Sequence, residues 1–111
     1  MASDRVGEVD TYMRRGTTPT LRITCSLPLD ECKSVWLTIK QPGVEITKKQ
    51  GDLAPTEDGF AVTLTQEETL RLMDGVLARV QLRALLHSGS ALASNIAEVP
   101  VGGILKDGEI T

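Results

Sequence analysis

Aromatic side chains are almost missing from this chain: Tyr12, Trp36 and Phe60 are the only three in 111 residues. A core must therefore be built from Val, Leu, Ile and Ala, and a stacking platform for sugar rings has little to stand on. Histidine occurs once, as His87, with no acidic or cysteine neighbour at ligand spacing. The two cysteines, Cys25 and Cys32, form no C-x-x-C and lack a second pair, which argues against zinc. No run approaches the ~20 apolar residues of a membrane helix. The first twenty residues also lack the apolar stretch of a secretory leader. These absences predict synthesis in the cytoplasm, no membrane partner and reduced thiols, with a Cys25–Cys32 bridge across a turn as the alternative. Basic residues are outnumbered 12 to 15, giving a net charge of −3, which argues against a nucleic-acid partner.

Catalytic groupings are also missing. Asp52, Glu57 and Asp58 share one loop, but no calcium-binding array of oxygen ligands surrounds them. Asp58-Gly59 reads instead as turn chemistry. Thr17 and Thr18 have no base to activate them. Gly102-Gly103 is not followed by the lysine of a phosphate-binding loop. The short basic pairs Arg14-Arg15 and Lys48-Lys49 read as solvated side chains. The sequence thus assigns no catalytic, cofactor-binding or metal-binding residue, expects no cofactor, and places the protein outside the enzymes.

What is present is alternation. In residues 76–87, Val76, Ala78, Val80, Leu82, Ala84 and Leu86 fall on one side, while Leu77, Arg79, Gln81, Arg83, Leu85 and His87 fall on the other. A period of two marks a half-buried strand. The same period puts Leu21, Ile23 and Cys25 inward, then Val35, Leu37 and Ile39, then Val44 and Ile46, then Phe60, Val62 and Leu64, and finally Ala97, Val99 and Val101. Pro42-Gly43 predicts a type II turn closing a hairpin. Residues 51–59 read as a loop, and Pro100 marks an edge strand or strand end. Thr65-Gln66-Glu67-Glu68 fits a capping box opening a short helix, with Leu70 and Met73 sharing one face and Asp74-Gly75 ending it. Ile104 and Leu105 should tuck against the body.

The expected architecture is a mainly β, compact antiparallel immunoglobulin-like β-sandwich of about six strands with one short helix. A small open barrel is second. Residues 1–19 read as a flexible N-terminal arm, with Met13 a candidate natural start, and residues 20–111 as a single domain.

If Val35, Leu37 and Ile39 face the core, Trp36 faces away from it. The arm or the tail covers it, or it binds a partner; tryptophan is enriched at interface hot spots. Leu77, Arg79, Arg83 and Leu85 also point outward, an apolar and arginine mixture suited to an interface. The candidate site is therefore Trp36, Leu77, Arg79, Arg83 and Leu85.

Three segments carry a resemblance: MRRGTTPTLRI at 13–23, TLTQEETLRL at 63–72 and VPVGGILKDGEI at 99–110. Together they resemble small prophage-encoded proteins of Gram-positive bacteria that sit among tail and baseplate genes. Some of these look like the N-terminal β-sandwich domain of baseplate upper proteins. The resemblance implies a non-enzymatic virion structural or assembly protein that contacts other tail or baseplate proteins, or itself. It places the chain in the bacterial cytoplasm and then the virion. The competing expectation is a stand-alone binding module for carbohydrate or a host protein.

Overall fold

The computed structural model describes residues 12–24 and 31–111. Cys25, and with it any bridge to Cys32, lies outside the described residues, as do the first eleven positions of the expected arm. Ten strands occur among the described residues: β1 (Met13–Arg14), β2 (Thr20–Thr24), β3 (Cys32–Gln41), β4 (Val44–Lys49), β5 (Ala54–Thr56), β6 (Gly59–Thr63), β7 (Ala78–Leu86), β8 (Ala91–Ala93), β9 (Ala97–Val99) and β10 (Val101–Gly102). One short helix, α1 (Gln66–Leu70), precedes β7.

The strands form three sheets. A three-stranded antiparallel sheet has the order β2-β6-β5. A five-stranded antiparallel sheet runs β4-β3-β7, with both β8 and β9 on the far side of β7. A small parallel pair joins β1 to β10. Inward residues of the two larger sheets, including Leu21, Ile23, Phe60 and Val62 from one and Leu37, Ile39, Val80 and Leu82 from the other, meet in one aliphatic core. The alternation read from the sequence therefore sets the layers, and the chain is a mainly β, sandwich-like body.

Ten strands replace the expected six, and the extra strands trace to particular residues. The run after residue 90 is cut twice. At Ser94 the hydroxyl accepts the Leu82 N–H at 3.0 Å while the Ser94 N–H donates to the Leu82 carbonyl, so one residue takes both partners and separates β8 from β9. At Pro100 the chain leaves β7, and the Pro100 carbonyl accepts the Met13 N–H. The edge expected near Pro100 is thus covered there by β1. Gly102 is part of β10. The loop at 51–59 contains β5, which carries Pro55 on a sheet edge where a missing N–H costs little. Strand β7 begins at Ala78 rather than residue 76, because residues 73–76 are held by Gln41. That buried amide donates to the Met73 and Val76 carbonyls at 3.0 and 2.8 Å and accepts the Met73 N–H at 2.7 Å. Gly43 takes φ +78 after Pro42, as the expected turn requires.

The arm is the largest revision. Within the expected 1–19 segment, Met13 is fully buried and strand-paired. Arg15 is not a solvated cation. Its Nε and Nη2 donate to the Leu72 and Leu70 carbonyls at 2.8 Å each, closing the C-terminal end of α1. The Thr17 N–H donates to Thr69 Oγ1, and that hydroxyl donates to the Thr17 carbonyl. Thr69 is buried for this reason and Leu72 is buried too, while Leu70 and Met73 stay half-buried.

The capping box of α1 forms as expected: the Glu68 N–H donates to Thr65 Oγ1 at 3.1 Å, and the Thr65 N–H donates to Glu68 Oε1 at 2.9 Å. Glu68 also meets Lys48 at 2.7 Å, with both side chains largely shielded from solvent. Lys48 is thus an inward-turned charge on the edge strand β4, and the solvated reading of Lys48 is withdrawn. Such a charge makes that edge a poor template for further strand pairing. Burial alone would raise the Glu68 pKa, but the Lys48 ammonium and the Thr65 backbone and hydroxyl outweigh it and hold the carboxyl below its usual value.

Candidate protein-binding face

The β3–β7 ladder pairs Ser34 with Leu85, Trp36 with Arg83, Thr38 with Gln81 and Lys40 with Arg79. Val35, Leu37 and Ile39 turn inward between these rungs, so all four pairs project from the outer face of the five-stranded sheet. At roughly 7 Å per outward rung, they trace a stripe roughly 20 Å long. Strand β4 adds Lys49 beside Trp36 and Glu45 beside Lys40, and β9 adds Glu98 beside Arg79.

Trp36 is 45% exposed on this stripe. The Lys49 Nζ lies 5.0 Å from the ring centroid, close enough for a cation–π contact. Neither cover expected for the ring is in place among the described residues. Ile104 lies at Gly16 and Leu70, the Ile110 backbone is held by Gln66, and Leu105 is fully exposed rather than tucked in.

Leu77, Leu85 and Ile96 are exposed on the same face at 49%, 37% and 47%. Two depressions lie along the stripe. One, of about 380 Å³, is lined by Lys40, Pro42, Leu77, Arg79, Gln81 and Ile96. The other, of about 240 Å³, is lined by Ser34, Trp36, Arg83, Leu85 and Ala91. All five residues expected to form an interface are therefore brought to one surface.

The face is cationic although the chain is acidic. Lys40, Lys49, Arg79 and Arg83 stand against Glu45 and Glu98. Of these cations only Lys40 reaches a carboxylate among the described residues, Glu45 at 3.9 Å. Arg79 and Arg83 form no ion pair there.

Three contributors escaped the sequence reading. Ile96 was legible from the alternation of Ala97 and Val99, which puts even positions outward. Lys49 was legible from the hairpin register, since pairing Gln41 with Val44 puts Trp36 opposite Lys49. Lys40 was legible as outward from the alternation of Val35, Leu37 and Ile39, but its distance from Leu77 and Ile96 closes only in the folded sheet.

The His87 backbone N–H donates to the Glu31 carbonyl, and its ring is exposed. Asp52 accepts the Lys49 N–H, and Asp58 meets Thr56. Among the described residues no three His, Cys, Asp or Glu side chains converge as a metal site. No helix among them is long and apolar enough to cross a membrane. No protein-family model, characterised protein or solved structure matches the chain.

Proposed function

We propose that this chain is a non-enzymatic structural or assembly protein of a phage tail or baseplate, and that it binds a protein partner through the outer face of its five-stranded sheet. One observation carries the binding half of this reading: four large apolar side chains, Trp36, Leu77, Leu85 and Ile96, stand exposed along one stripe, with arginines between them that form no ion pair among the described residues. Tryptophan and arginine are the residues most often found at the energetic centre of protein interfaces. Several large apolar side chains exposed on one face are a mark of such a site. The tail or baseplate assignment rests on the three segments described above. Within it, the sandwich-like body is read as immunoglobulin-like, made in the cytoplasm and carried into the virion.

A single exposed tryptophan gives no stacking platform, which favours protein over carbohydrate as the ligand. The test is co-sedimentation of the purified chain with individual tail and baseplate proteins. A complex that forms with the wild type and is weakened by Arg83→Glu supports the reading. Binding to a glycan or host surface protein, with no tail protein bound, would reassign the chain as a stand-alone binding module.

A further inference from the structure

We infer that the partner on this face is a second copy of the chain, whose segment 104–110 seats in the groove beside Lys40, Leu77, Arg79 and Ile96. The inference rests on the reading that the outer face binds protein, and it names the occupant.

The segment is built in an unusual way. A tail that docks for stability buries its apolar side chains and leaves its polar groups in water. Here the polar groups hold the segment down. Asp107 pairs with Arg15 at 3.1 Å. The Gln66 side chain donates to the Ile110 carbonyl and accepts the Ile110 N–H, so it brackets that residue as a neighbouring strand would. Ile104 is accommodated because Gly16, at φ +74, has no Cβ; one placed there would come within 2.9 Å of the isoleucine Cδ1. Between these anchors Leu105 is fully exposed, and the Ile110 side chain is 74% exposed. The segment is a fixed ridge with apolar tips that its own body does not cover.

Groove and ridge are complementary. The groove supplies apolar walls from Leu77, Ile96 and Pro42 with cations at Lys40 and Arg79. The ridge supplies Leu105 and Ile110 with the carboxylate of Glu109 and that of Asp107, which Arg15 already pairs from its own body, set against the cation Lys106. Because the ridge is already held in place, little conformational entropy is lost when it docks. The two surfaces are different parts of the molecule, so the contact is head-to-tail. Such a contact leaves one free groove and one free ridge after each addition and builds a ring or a filament.

Sedimentation velocity of the full chain over a wide concentration range tests this. The wild type should grow in mass with concentration. Leu105→Glu should weaken assembly by roughly tenfold or more, the scale of one buried anchor. The double variant Lys40→Glu, Arg79→Glu should do the same from the other side. All three positions are exposed, and matching thermal melts will show that the variants fold; Leu105→Ser serves if Leu105→Glu does not. The decisive sample is an equal mixture of the two assembly-defective variants. Each retains one intact half, so the mixture should form a species of two copies and nothing larger. A wild type that stays monomeric would overturn self-assembly, and an oligomer indifferent to Leu105→Glu or a mixture that forms no pair would overturn the seating of segment 104–110 in the groove. If the monomer nevertheless binds another tail component and Trp36→Ala weakens that complex, the outer-face reading stands and only the identity of the occupant fails. If Trp36→Ala leaves every complex unchanged, the outer-face reading fails as well.

Discussion

The two large sheets share one core but present very different outer faces. On the three-stranded sheet the outward positions are Thr20, Arg22 and Thr24 on β2, with Ala61 and Thr63 on β6. Thr20 and Thr63 meet each other through their hydroxyls at 2.9 Å. These are small or solvated side chains, and no large apolar residue stands among them. The five-stranded sheet carries Trp36, Leu77, Leu85 and Ile96 outward with Lys and Arg between them. Core packing constrains only the inward half of each strand, so a difference confined to the outward half is not explained by folding. One face is finished by water. The other is the face proposed to meet a partner.

The comparison breaks most violently if the register is wrong. Leu82, fully buried beneath the outer face, and Gln81 are neighbours on β7. Leu82→Asp should cost about 4 kcal/mol or more by burying an unpaired charge. Gln81→Glu should cost under about 1 kcal/mol. Equal losses in denaturant melts would overturn the assignment of faces.

The next largest effect concerns the loop that carries Leu77 to the groove. Gln41→Leu strips three backbone groups at Met73 and Val76 of their partner and should cost about 3 kcal/mol. It should also loosen protection of the Val76 and Leu77 amides in hydrogen exchange. A variant as stable as wild type would show that water replaces the amide and that the groove wall is not fixed by it.

On the other side of the molecule, Arg15→Ala removes two carbonyl contacts and the link to Asp107. A loss of about 2 kcal/mol is expected in thermal or denaturant unfolding.

Trp36→Ala sharpens the contrast between stability and binding. It should weaken partner binding by about 1–2 kcal/mol, a modest hot spot, and change stability by less than that. Arg22→Ala on the opposite face should change neither. If titration calorimetry finds the two substitutions equivalent, the faces are not functionally distinct.

The smallest effect depends on pH. Glu68 has its pKa lowered in the folded state, so its contribution is complete above the ordinary value of 4.5 and is lost as pH falls through the lower folded value. Glu68→Gln should therefore cost about 1 kcal/mol near neutrality and progressively less in acid. A difference between the two proteins that stays constant from pH 7 to pH 2 would show that the ion pair with Lys48 contributes nothing.

The inward half of the fold was legible from period-two alternation, because burying one side of a strand leaves a direct trace in the order of residues. Leu37, Ile39, Val80 and Leu82 all follow it. The helix cap at Thr65 and the turn at Gly43 were legible for a similar reason: each depends on residues within four positions of one another. The splitting of the last strands was not, since Ser94 acts through Leu82, twelve residues away, and Pro100 acts through Met13. Arg15 looked like a surface cation because its two carbonyl partners lie more than fifty residues on. At the candidate site, the five outward residues were readable strand by strand. Their union with Ile96, Lys40 and Lys49 needed the pairing of four strands.

Amide chemical-shift mapping decides whether the outer face of the five-stranded sheet is the binding surface. Spectra are recorded as the chain is concentrated and again as tail components are added. The account predicts perturbations at Trp36, Thr38, Leu77, Gln81 and Arg83, joined on concentration by residues 104–110, while Thr20, Arg22 and Thr63 stay still. Perturbations gathered on Thr20, Arg22 and Thr63, with the Trp36 stripe unmoved, would contradict it.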